Sequence, residues 1–239
     1  MKLRGKRAVV TGGGSGYGRG IAAALAKSGA KVWITGRDGA KLARAARAVG
    51  AKAIVADVTS GEDWDRVFRE VGGVDILVNN AGAGVRIAPL ADQTDEEIES
   101  SIAVNLTGAI KGAARAARLM ARRRRGVIVN IASVCAVHAW PEWSVYTAAK
   151  AGLLKFSHGL HAEMRPYGVR VMCVIPSWGR TGFNRAAGVV GASEGSATAA
   201  KCIAPSEFGR LVSELVALPD HLTVPEVVLQ PMIQDICPM

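Results

Sequence analysis

The stretch "VTGGGSGYGRG", Val10–Gly20, holds six glycines and a serine in eleven residues. Glycine loses more backbone entropy on folding than any other residue, so such a cluster needs a reason. The flanks supply one. "KRAVV" before it is short and β-branched, and the Ala-rich run from Gly16 to Ser28 has helical character. A glycine-rich turn from strand to helix presents free amides at the helix's amino end and lets an anion come close. The spacing G-x-G-x-x-G is met in no register. The pattern present is T-G-x-x-x-G-x-G, on Thr11, Gly12, Gly16 and Gly18.

Outward from that turn, apolar strand-like runs alternate with helical ones. "KRAVVTG", "KVWIT", "AKAIVADV", "DILVNNAG", "GVIVNIAS", "VRVMCVIP" and "EVVLQP" read as strands. Residues 16–28, 38–49, 60–71, about 94–125, 144–165 and 205–217 read as helices. Near-continuous apolar strands fit a parallel sheet covered on both faces. The alternation predicts an α/β chain with a doubly wound parallel sheet, as one domain over residues 1–239. Residues 184–201 break the rhythm. They are small, polar and glycine-spiced, and are expected to form a mobile substrate lid, or else a surface loop, at the carboxyl edge of the sheet.

Composition narrows the setting. Of 239 residues, 49% are hydrophobic, enough for a large core. Cys135, Cys173, Cys202 and Cys237 lack paired spacing, which fits reduced thiols in a cytoplasmic protein. No apolar run is long enough to cross a bilayer, so no membrane partner is expected. The net charge is +10. Its densest run, Arg122–Arg125, closes a helical segment, where cations suit the macrodipole; no nucleic-acid motif accompanies it. His158 and His161 lack a third ligand, so no metal is expected.

"NNAG" at 79–82, Ser133 and "YTAAK" at 146–150 follow the glycine turn in order. Together with T-G-x-x-x-G-x-G they make the chain, from Lys6 to about Gln234, resemble the short-chain dehydrogenase/reductase family. The resemblance implies a single-domain Rossmann-type fold and a nicotinamide cofactor. Gly12, Gly14, Ser15, Gly16, Tyr17 and Gly18 would cradle its diphosphate. Asp57 and Val58 match the family's adenine contacts, and Asn80, Ala81 and Gly82 match positions near the adenine ribose. Where the family's NAD users carry an acid, this chain has Gly36, then Arg37. A guanidinium suits a 2′-phosphate, so NADP is expected over NAD. The alternative has Arg37 solvated and Asp38 on the ribose; a helix cap is the preferred reading of Asp38.

Tyr146 and Lys150 are four apart on one helical face. A phenol's pKa of about 10 is poorly placed for proton transfer near neutrality. An ammonium at ~4 Å would favour the phenolate by about 4 kcal/mol at an effective dielectric near 20. A lowered Tyr146 pKa is therefore expected, with Tyr146 as acid or base. By resemblance Ser133 orients the substrate oxygen, and Asn105 kinks a long helix and relays protons toward Lys150. In "IPSWGRTGF", Pro176 and Thr181 agree with the family's carboxamide-gripping segment, while Ser177 and Gly179 replace its glycine and valine.

His138, Trp140, Trp143 and Trp178 are candidate pocket walls, although the tryptophans could instead pack a subunit contact. Arg180 is read as a structural ion-pair residue before a partner for an anionic substrate. Cys135 is read as a pocket-lining residue, not a nucleophile. The C-terminal segment is similar to that of NADP-dependent 3-hydroxy acid dehydrogenases and carbonyl reductases. The expected activity is hydride transfer between NADP(H) and a small aldehyde, ketone, hydroxy acid or alcohol. The expected assembly is a homotetramer or homodimer. The alternatives are a non-catalytic NADP(H) sensor and, with little room for its substrate domain, a nucleotide-sugar epimerase or dehydratase.

Overall fold

The structure, a computed structural model, describes residues 1–84, 86–183, 187 and 200–234. Strands form at Arg7–Thr11 (β1), Lys31–Gly36 (β2), Lys52–Val55 (β3), Ile76–Asn79 (β4), Gly126–Ile131 (β5), Val169–Pro176 (β6) and Glu226–Leu229 (β7). Helices form at Gly16–Lys27 (α1), Gly39–Val49 (α2), Gly61–Val71 (α3), Asp95–Ile102 (α4), Gly108–Arg123 (α5), Ser144–Met164 (α6) and Pro205–Ala217 (α7). The strands make one parallel sheet in the order β3-β2-β1-β4-β5-β6-β7. This is the expected Rossmann-type doubly wound sheet. Its order reverses at β1, so a crevice opens between the carboxyl ends of β1 and β4, where ligands bind in such sheets.

Strand residues alternate between two cores, because successive side chains point to opposite faces. Val10, Ile34 and Val129 pack with Ile21, Leu25, Leu42, Phe208 and Val212 from α1, α2 and α7. Val9, Leu77 and Ile128 pack with Trp64, Val67, Ala113, Met120 and Leu160 from α3, α5 and α6. Helices α1 and α7 cross with almost no space between their backbones. A Cβ on Gly20 would run into the carbonyl of Pro205, and one on Gly209 into the carbonyl of Gly20.

The long helix expected over residues 94–125 is interrupted. Ala103–Thr107 form a π-helical turn between α4 and α5. The basic run ends α5, with Arg122 and Arg123 in its last turn and Arg124 left-handed at φ 53°. His158 Nε2 lies 2.8 Å from Glu226 Oε2, joining α6 to β7. Apart from Ala187, Ala200 and Lys201, the expected lid over 184–201 lies outside the described residues, as does Cys237.

Candidate active site

The glycine turn leaves the carboxyl end of β1 and is clamped by the start of the N-N-A-G segment. Gly12 adopts φ +65°, and a Cβ there would stand 3.0 Å from the Cα of Ala81. The buried Thr11 hydroxyl oxygen accepts the N–H groups of Asn80 at 3.0 Å and Ala81 at 2.9 Å. Asn80 Nδ2 donates to the Thr11 carbonyl at 2.9 Å. The Asn80 side chain thus shapes the turn, leaving Ala81 and Gly82 along the crevice.

Helix α1 opens at this turn without local compensation. Ser15 stands at its N-cap with no side-chain cap bond, and its first turn holds no acid. Helices α2, α3 and α4 are each capped, by Asp38, Ser60 and Thr94. Gly16, Tyr17 and Gly18 therefore offer N–H groups suited to the diphosphate of a dinucleotide. Lys41, not singled out from the sequence, passes its stem 3.6 Å from where a Cβ on Gly14 would be. Its cation adds to that of exposed Arg37 at this corner. Asp38 Oδ1 accepts the Lys41 N–H at 2.9 Å, so this carboxylate is a helix cap. Asp57 Oδ1 accepts from the Thr59 N–H and hydroxyl, both at 2.8 Å. Asp57 and Val58 line a small recess with Thr35 and Trp64.

Asn105, Ser133, Tyr146 and Lys150 gather beyond the end of β5. In an α-helix the Ser101 carbonyl would accept the Asn105 N–H; the π turn breaks that register, and Asn105 Nδ2 takes this carbonyl at 3.0 Å. The same amide donates to the Ala83 carbonyl at 2.7 Å, and its Oδ1 accepts the Ala83 N–H at 3.2 Å. Gly82 fits between Asn105 and Lys150: a Cβ there would be 2.9 Å from Asn105 Oδ1 and 3.4 Å from Lys150 Nζ. Ser133 Oγ accepts the Cys135 N–H at 3.2 Å.

The Tyr146–Lys150 electrostatics differ from expectation. Lys150 Nζ donates to the Ile131 carbonyl at 3.0 Å and stands 5.7 Å from the Tyr146 ring centroid. Burial pushes the Tyr146 phenol above its ordinary range, Cys135 adds to that rise, and a hydrogen bond with Ser133 opposes it. Burial also lowers Lys150, to about 8. Desolvation outweighs the attraction inferred from spacing, because both groups sit in the interior and the ammonium is turned to a backbone carbonyl. Burial raises the Cys135 thiol too, consistent with an unreactive lining residue.

Around the phenol, Trp143 meets Tyr146 edge-on with centroids 5.6 Å apart. Phe183, not singled out as a wall, stacks on Trp143 at 6.4 Å and lies 5.3 Å from Tyr146. His138 and Trp140 contact each other edge-on at 6.2 Å. Trp178 is 45% exposed, and its N–H, like the Ser177 hydroxyl, donates to Gln234 Oε1. Pro176 ends β6 opposite Leu229. Arg180 is exposed, and its N–H donates to the Ile203 carbonyl at 2.9 Å.

The sequence profile described as short chain dehydrogenase matches residues 6–188. The chain belongs to the short-chain dehydrogenase family. An uncharacterized oxidoreductase of Staphylococcus aureus (strain USA300) is 31% identical over 237 residues, 96% of this chain and 99% of the relative. Among solved structures, the closed form of a serine dehydrogenase complexed with NADP+ has a TM-score of 0.87 at 25% identity, covering 98% of each chain. A 3-ketoacyl-(acyl-carrier-protein) reductase from Brucella melitensis complexed with NADH has a TM-score of 0.85 at 27% identity, covering 95% of this chain and 97% of that one. This short-chain dehydrogenase is thus an oxidoreductase whose fold neighbours include complexes with either nicotinamide dinucleotide.

Proposed function

We propose that the protein is an NADP(H)-dependent oxidoreductase that interconverts a small carbonyl compound and its alcohol, with Tyr146 as the proton donor and acceptor. The observation that carries this reading is the convergence of Asn105, Ser133, Tyr146 and Lys150 at the crevice beside the uncapped start of α1. When bound, the nicotinamide supplies or accepts the hydride at the substrate carbon. Tyr146 gives its proton to the carbonyl oxygen in reduction and takes it from the hydroxyl in oxidation. A phenol held in its protonated form by burial suits the reductive direction. Ser133 donates to the same substrate oxygen and orients it. Lys150 provides the positive charge that favours the phenolate once the proton has left.

Arg37, exposed beside a carboxylate already committed to capping α2, supports NADP over NAD. The serine dehydrogenase neighbour, with its NADP+, supports a small hydroxy acid or related carbonyl compound as substrate. Trp143 and Phe183, both against Tyr146, would make the apolar side of the pocket, with the His138–Trp140 pair as a further candidate wall. The reading includes one catalytic domain, a homotetramer or homodimer, and a cytoplasmic setting. Cys135 and Cys173, both buried free thiols, suit that setting. NADPH mixed with a panel of small aldehydes, ketones and keto acids tests it through loss of nicotinamide absorbance. Tight NADPH binding without turnover on any carbonyl would favour a sensor instead.

A further inference from the structure

Tyr17 is the second residue of α1, a half-buried side chain whose hydroxyl is enclosed and has no assigned task. Its Oη is inaccessible to solvent and has no hydrogen-bond partner among the described residues. The ring lies against fully buried Phe208, with centroids 4.1 Å apart. The hydroxyl end is pressed onto the backbone of Gly179, and a Cβ on Gly179 would fall on top of it. Gly179 cannot easily retreat, because its segment is bridged to Ile203: Arg180 N–H donates to the Ile203 carbonyl at 2.9 Å, and Ile203 N–H to the Trp178 carbonyl at 3.0 Å.

The surroundings of that hydroxyl indicate what would meet it. Thr181 packs over the first turn of α1, its Cβ 3.3 Å from where a Cβ on Gly16 would lie. Two residues on, Phe183 reaches the Tyr146 ring. Residues 179–183 therefore form a strip from the amino end of α1 to the reactive phenol. A dinucleotide with its diphosphate on α1 and its nicotinamide facing Tyr146 would lie along this strip. The carboxamide is the hydrogen-bonding substituent of the nicotinamide ring, with one donor group and one acceptor. A neutral phenol can serve either, and burial raises the Tyr17 pKa, keeping the hydroxyl protonated.

We propose that Tyr17 Oη hydrogen-bonds the nicotinamide carboxamide, and that Gly179 is required because this phenol fills the volume a side chain at 179 would take. The assignment rests on the dinucleotide-binding reading above. It joins the tyrosine of the glycine turn and the glycine after β6, which stands where the family carries valine, as one compensated pair.

Binding by titration calorimetry to purified Tyr17→Phe and parent proteins tests it, with NADP+ and 2′-phospho-ADP-ribose as ligands. The second ligand keeps the phosphates and adenosine but lacks the nicotinamide. The variant is expected to lose about tenfold in affinity for NADP+, the size of one net hydrogen bond, with 2′-phospho-ADP-ribose within twofold of the parent. Equal losses on both ligands, or none on either, would overturn the assignment. A parent protein that bound neither ligand would overturn the dinucleotide reading and this assignment with it. A parent that bound both ligands equally would overturn the assignment alone. A thermal-unfolding cycle provides an independent check. Gly179→Ala is expected to lower the melting temperature of the parent, and to do so much less in a Tyr17→Val background. Equal lowering in both backgrounds would contradict the packing relationship.

Discussion

The ammonium of Lys150 is held by the carbonyl of Ile131 at 3.0 Å, across the gap between α6 and the end of β5. This bond satisfies the lysine without neutralising it, and burial holds its pKa near 8, below the ordinary lysine value. A cation in that position works against folding of the cofactor-free protein.

Replacing Lys150 with Met should therefore stabilise the cofactor-free protein at pH 7 while abolishing turnover. The lowered pKa corresponds to about 3 kcal/mol of unfavourable charge burial. Leaving the Ile131 carbonyl without its donor returns roughly 1–2 kcal/mol of that. The remainder should raise the melting temperature by about 3 °C in a chain of this size. The sign with pH follows. The folded pKa lies below the unfolded one, so the penalty is complete below about pH 8 and fades as pH rises toward the unfolded value of about 10.4. Urea unfolding of the parent at pH 7 and pH 9.5 should show this gain, and Lys150→Met should lack it. A variant less stable than the parent at pH 7 would count against this electrostatic picture.

Buried Asn105 makes three hydrogen bonds, a buried one to Ser101 and two half-buried ones to the backbone groups of Ala83. Asn105→Ala should cost about 2 kcal/mol, because it leaves the buried Ser101 carbonyl and the half-buried Ala83 groups without their partner. Denaturant unfolding measures this directly, and a cost below about 1 kcal/mol would show that the π turn stands without this amide.

Arg37 and Asp38 are adjacent but should separate cleanly by experiment. Arg37→Ala should weaken NADPH much more than NADH, because only NADPH carries the 2′-phosphate. Asp38→Ala should cost about 1 kcal/mol of stability through the lost α2 cap and leave the NADPH-to-NADH affinity ratio unchanged. Fluorescence titration with both cofactors reads each outcome, and an NADH loss specific to Asp38→Ala would return that carboxylate to the ribose.

Two glycines in helices should respond oppositely to alanine. Gly20→Ala drives a methyl group into the Pro205 carbonyl and should destabilise by more than ~3 kcal/mol or prevent folding. Gly159 is exposed in α6, and a Cβ there would meet nothing within 4 Å. Gly159→Ala should stabilise by about 0.5–1 kcal/mol through helix propensity. Thermal unfolding of the two variants checks both signs.

Much of the architecture is legible in the sequence because its signals are local. β-branched runs mark each strand, Asp38 caps its helix as its position suggests, and the helix at Pro205–Ala217 has the expected bounds. The π turn at Asn105 is less legible, since a one-residue shift of backbone bonding leaves helical periodicity nearly intact. Phe183 carries no local sign of being a wall, because its contacts to Trp143 and Tyr146 span long separations. The Tyr17–Gly179 pair is hidden for the same reason. The direction of the Tyr146 pKa runs against the sequence expectation because spacing on a helix reveals proximity but not burial, and here burial dominates.

The proposed role of Tyr146 is tested most directly by Tyr146→Phe. The variant keeps the ring that packs against Trp143 and Phe183 and loses only the hydroxyl. Carbonyl-dependent oxidation of NADPH should fall by at least about a thousandfold, at the upper end of what a positioned acid contributes, while NADPH affinity stays within a few-fold of the parent. Near-normal turnover with the phenylalanine in place would contradict the assignment.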